Sequence, residues 1–117
     1  MRLPVRARAF AGALILLCAT IAACSDSNAP DNITVQVKDN SFDPMTATVG
    51  TGATVTWNWA GANQHNVTWV NTSGTSNSPT QATGTFTRTF SNTGTYDYYC
   101  TLHGTATTGM RGSVVVQ

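Results

Sequence analysis

At 117 residues the chain holds one domain and has no room for a second catalytic one. Charged side chains make up only 9% of it, glutamate is absent, and threonine and valine are abundant, which favours strands over helices. The net charge of +1 comes from Arg2, Arg6 and Arg8 at the N-terminus; beyond residue 24, Lys38, Arg88 and Arg111 face Asp26, Asp31, Asp39, Asp43 and Asp97, a balance of −2 that leaves no basic patch for a nucleic acid.

Residues 1–23 have the parts of a secretory signal: a basic start, an apolar run from Ala9 to Ala23 too short to span a bilayer comfortably, and small residues before a cysteine. Ile21-Ala22-Ala23-Cys24 resembles a bacterial lipobox, in which cleavage leaves an acylated cysteine at the new N-terminus. The expectation is a lipoprotein signal peptide over 1–23, lipid on Cys24, and a polar tether over 24–31 that keeps a domain spanning 32–117 near the membrane. An ordinary secretory signal is the alternative. Export to the periplasmic or cell-surface side follows from either, and Ser25 after the lipidated cysteine points to an outer membrane.

Ile33, Val35 and Val37 alternate with polar residues, the period of a strand with one buried face. Asp39 to Pro44 reads as a turn, and Thr46 to Val49 as a second short strand. Ala53 to Trp59 predicts a core strand with Val55, Trp57 and Trp59 on one side. A loop then leads to His65, after which Asn66 to Val70 is again extended. Asn71 to Gly84 has no large apolar side chain and predicts a surface excursion. In Thr85 to Phe90 the inward face takes Phe86, Phe90 and Arg88, which places Arg88 near an open end. Thr95 to Cys100 sets Tyr96, Tyr98 and Cys100 on one face, and Gly112 to Gln117 turns Val114 and Val116 inward. Seven to eight short strands with regular turn signals imply an all-β, two-sheet Greek-key sandwich.

The chemistry is concentrated between Tyr96 and Met110. Cys18 goes with the leader and Cys24 is capped by lipid, so Cys100 is left as a lone thiol in an oxidising compartment, which burial or a metal must protect. Two residues separate Cys100 from His103, and both side chains can converge where the strand bends back. Thiolate, imidazole and thioether form a soft donor set suited to copper, and two His, one Cys and a weak Met describe a blue copper site. The second histidine can only be His65.

The pattern F-x-P (Phe42, Pro44), TV-x-x-G-x-x-V-x-W-x-W (Thr48 to Trp59), HNV (His65 to Val67), GTYDYYC-x-x-H (Gly94 to His103) and GM-x-G-x-V-V-V (Gly109 to Val116) resembles the cupredoxin family, its plastocyanin-like members above all. The resemblance covers nearly the whole mature domain. It implies one type 1 copper ion held by His65, Cys100, His103 and, axially, Met110. Asn66 matches the position whose backbone N–H reaches the copper-bound sulfur, a contact that tunes potential. The later histidine in such proteins is exposed and meets redox partners through an apolar patch; Leu102, Ala60, Gly61, Ala62 and Ala106 are its candidates here, with Met45 either rimming that end or packing in the core. The chain departs from the family in the six residues between His103 and Met110, more than the usual spacing.

The function these readings imply is electron transfer between Cu(II) and Cu(I) by a monomeric carrier tethered at the membrane. Copper delivery or storage is the alternative, although methionines and histidines are scarce for an open delivery site. A copper enzyme would need further histidines for another site, so no enzymatic activity is expected. A metal-free sandwich serving as a surface module is the remaining reading.

Overall fold

The computed structural model describes residues 29–71 and 75–117. The expected signal peptide, Cys24 and most of the expected tether lie outside the described residues. Eight strands are present among the described residues: β1 Asn32–Lys38, β2 Ser41–Asp43, β3 Thr46–Val49, β4 Thr54–Trp59, β5 Thr68–Trp69, β6 Thr85–Thr89, β7 Gly94–Gly104 and β8 Gly109–Val116. They form two four-stranded sheets, ordered β2-β1-β4-β6 and β3-β8-β7-β5. Strands adjacent in space are mostly distant in sequence, and the chain crosses between sheets repeatedly, as in a Greek key.

The period-two pattern does what it predicts. β1 and β4 run parallel with Val35 opposite Trp57 and Val37 opposite Trp59, so their apolar rows share one face. β3 and β8 also run parallel, with Ala47 opposite Val114 and Val49 opposite Val116. All eight of these side chains are buried. Between the sheets, Trp57 meets Trp69 and Tyr98 edge to face, with ring centroids 5.5 and 5.4 Å apart, and Phe42 meets Tyr98 at 4.8 Å. Edge-to-face contacts place a positive ring edge on a negative face. They interlock two rings of the first sheet, Trp57 and Phe42, with two of the second, Trp69 and Tyr98.

Several sequence-based expectations are corrected. The stretch Asp39 to Pro44 is not wholly a turn, because Ser41–Asp43 pairs back onto β1. Met45 is 60% exposed and does not pack in the core. It lines a small cleft with Asp97, Ala106 and Arg111. The described part of the polar stretch before Gly84, residues 75–84, runs mostly over the surface as expected but is tied to the sheet at Ser78. Ser78 is buried and exchanges hydrogen bonds with Val67, accepting from its N–H at 2.7 Å through Oγ and donating its own N–H to the Val67 carbonyl at 2.9 Å. The Trp69 N–H donates to Asn77 Oδ1 at 3.0 Å. Because β5 is two residues long, these polar groups satisfy backbone that a longer neighbouring strand would otherwise cover. Arg88 does share the inward face of β6, and it is half-buried with its guanidinium over the rings of Trp69, Phe90 and Tyr96 at 4.3, 4.5 and 5.0 Å. Burial lowers its pKa, but the aromatic faces keep the cation in a favourable field.

Candidate metal centre

Two segments bring three donor atoms to one end of the sandwich. After β4 the chain turns through Ala60 to Gln64 and reaches His65, whose N–H and carbonyl both bond to Gln81, at 3.0 Å each. The indole N–H of Trp59 donates to the same His65 carbonyl at 3.2 Å. With its backbone held on two sides and its side chain fully buried, His65 has one orientation. Cys100 follows Tyr96 and Tyr98 at alternate positions of β7, and it too is fully buried. It is the free cysteine among the described residues.

The sequence reading placed Cys100 at a strand end, but β7 continues to Gly104. What bends the chain is a register shift against β8 between Tyr99 and Gly104, and His103 lies within that irregular stretch. Pairing resumes at Gly104 opposite Gly109, and the hairpin tip is closed by the Thr105 N–H on the Thr108 carbonyl at 2.8 Å. The six residues between His103 and Met110 are therefore consumed by a tight hairpin end, which returns the chain with Met110 buried at the start of β8. Both glycines are required by close approach: a Cβ at Gly104 would lie 2.6 Å from Met110 N, and one at Gly109, where φ is +74°, would lie 2.5 Å from the His103 carbonyl oxygen.

Cys100 Sγ lies 3.8 Å from His65 Nδ1 and 3.7 Å from His103 Nδ1, and the two nitrogens are 3.0 Å apart. The circle through the three atoms has a radius of about 2 Å, close to the nitrogen and sulfur bond lengths of a first-row metal ion. A donor trio of one thiol and two imidazoles in that triangle fits copper, whose blue sites are trigonal His₂Cys with a weak axial ligand. His103 differs from its two partners in being exposed, so the ring turns Nδ1 inward and its other edge toward solvent.

Around the trio, Asn66 is buried and its side chain ties the two segments together. It accepts the Thr101 N–H at 3.0 Å and donates to Thr101 Oγ1 at 2.7 Å and Thr80 Oγ1 at 3.0 Å. Sequence reasoning singled out Asn66 for its backbone; this cross-link through the side chain was not foreseen. It also missed Asp39, whose Oδ1 lies 3.0 Å from His65 Nε2. That hydrogen bond, with further ones from the N–H groups of Asn63 and Ala62, holds the Asp39 carboxyl down at about 2. An aspartate in a turn is ordinary turn chemistry, and nothing in its spacing marks it as a neighbour of a histidine 26 residues on.

A β-sandwich that brings a cysteine and two histidines together at one end has the fold and the donor set of a cupredoxin-like metal centre. The model of the cupredoxin-like domain matches residues 10–116, and the chain belongs to the cupredoxin family. Among solved structures it is similar to a purple cupredoxin from Nitrosopumilus maritimus, at 25% identity over 73% of this chain and 99% of that one, with a TM-score of 0.62. An amicyanin mutant in its reduced state is 33% identical over 74% of this chain and 82% of that one, with a TM-score of 0.60. A mutant fern plastocyanin is 25% identical over 72% and 99%, also at 0.60. A copper-containing nitrite reductase from Thermus scotoductus shares the fold at 23% identity and a TM-score of 0.59, and the match takes in 22% of that longer chain. No curated protein matches the sequence.

Proposed function

We propose that the protein is a type 1 copper electron carrier, exported and held at the bacterial membrane by lipid on Cys24. The observation that carries this reading is the triangle of His65 Nδ1, Cys100 Sγ and His103 Nδ1, two of whose residues are fully buried, His65 held by backbone bonds to Gln81 and Cys100 set within β7. A copper ion bound there supplies a one-electron couple between Cu(II) and Cu(I). The protein's part is to keep the donors from moving when the charge changes. Gln81 and Trp59 clamp His65, β7 fixes Cys100, and the side chain of Asn66 links the two segments. Small ligand movement means a small reorganisation barrier and fast exchange. Met110, buried where the hairpin returns, would supply the weak fourth donor, and Asn66, buried beside the trio, would help to hold the thiolate segment through its bonds to Thr101.

His103 is the outlet. Leu102 beside it is 53% exposed, and Ala60, Ala62 and Ala106 are exposed as well, apolar surface suited to brief contact with redox partner proteins. In this reading the chain works as a monomer and has no catalysis of its own, since one ion would take up both histidines.

Voltammetry on the copper-loaded full chain, together with a challenge by a Cu(I) chelator, separates this reading from copper delivery or storage. A carrier gives a reversible one-electron wave and keeps its copper when reduced. Copper stripped on reduction would reject the carrier role in favour of delivery.

A further inference from the structure

Asp39 lies in the turn between β1 and β2, on the sheet that does not contain Cys100 or His103, yet it faces the centre. Its Oδ1 accepts from His65 Nε2 and from the Asn63 N–H, both at 3.0 Å, and its Oδ2 accepts from the Ala62 N–H at 3.2 Å. The backbone at Gly61 passes so close to one side of the carboxylate that a Cβ there would sit 2.4 Å from Oδ1, while the Asp39 side chain keeps its other side open to solvent. At Asn40 the backbone adopts φ of +68°, which turns the chain directly after Asp39. Three N–H donors and a glycine built around one carboxylate make a socket. His65 is the only side chain among those donors.

We infer that Asp39 is the positioning residue of the metal centre: its carboxylate fixes His65 as the Nε2–H tautomer and places a negative charge behind the ring that favours the more highly charged metal state. An ionised carboxylate only accepts hydrogen bonds, so the ring nitrogen facing it must carry the proton. The lone pair is then on Nδ1, the atom that faces Cys100 and His103. A carboxylate behind a ligating imidazole raises its basicity. It also stabilises Cu(II) over Cu(I), and so lowers the potential of the one-electron couple. The potential half of the inference rests on the copper reading above; the tautomer half does not.

The two halves are tested on the full chain. In the metal-free protein, ¹⁵N ring shifts are expected to show His65 as Nε2–H in the wild type and in Asp39→Asn, whose amide oxygen still accepts, and to show that preference lost in Asp39→Ala. After copper loading, Asp39→Asn is expected to shift the ratio of Cu(II) to Cu(I) affinity about tenfold toward Cu(I), a rise of about 59 mV for a one-electron couple. Asp43→Asn, which removes a nearby carboxylate paired with Lys38, is the control and leaves the potential unchanged. A wild-type His65 protonated at Nδ1 overturns the inference, and this measurement needs no variant to fold. Equal potentials in Asp39→Asn and Asp43→Asn overturn it as well. If the wild type takes up no copper while the tautomer pattern appears as expected, the copper reading fails and the positioning role stands.

Discussion

Asp39 also makes a prediction about stability. Its carboxyl titrates at about 2 in the folded chain, below the roughly 3.9 of an unfolded aspartate, chiefly because of the hydrogen bond from His65. A group whose folded pKa is depressed contributes stability that is complete above the unfolded pKa and is lost as pH falls through the folded one. The window is therefore pH 4 to 2. Urea midpoints measured across it are expected to fall less steeply for Asp39→Asn than for the wild type; parallel slopes would show that the carboxylate is not held as described.

Among the elements, the β7–β8 hairpin decides whether His103 and Met110 come back to Cys100. Its fit depends on Gly109, which combines a positive φ with a backbone approach too close for a Cβ. Gly109→Ala is expected to cost about 1–3 kcal/mol of stability, the cost of a strained non-glycine backbone, and to weaken metal binding by displacing the His103 carbonyl. Chemical denaturation and a copper titration check both effects, and a variant that matches the wild type in each would show the hairpin to be slack. This element was poorly legible in the sequence. Gly104-Thr105-Ala106-Thr107-Thr108-Gly109 has no apolar period, so neither the extension of β7 past Cys100 nor the resumption of pairing at Gly104 could be read from it. The polar stretch around Ser78 escaped for a related reason: its role is to supply hydrogen bonds to the backbone of Val67 and Trp69, and hydrophobic patterning carries no sign of that. By contrast β1 and β4, which alternate cleanly, lie where alternation puts them, whereas β8 begins at Gly109, three residues ahead of the expected Gly112.

For the whole molecule, the two sheets are held by a small set of interlocked rings with Trp57 at the centre, fully buried against Trp69, Phe86 and Tyr98. Trp57→Ala is expected to cost about 3–5 kcal/mol, read from the shift in urea midpoint, because the cavity falls between sheets that cannot collapse onto each other. A loss below 1 kcal/mol would mean that the rings do not lock the sandwich. The ligand trio was legible for a simple reason: the chain has only His65 and His103 as histidines, and Cys100 is the one cysteine among the described residues, so the convergence had a single solution. Asp39 was hidden because its contact with His65 is made only when the β1–β2 turn of one sheet meets the loop after β4. The central claim is that this convergence makes a copper–thiolate bond. Addition of one equivalent of Cu(II) to the full chain is predicted to produce an intense visible absorption from thiolate-to-copper charge transfer, absent in Cys100→Ser. A wild type that stays colourless, or a serine variant that turns equally blue, would contradict it.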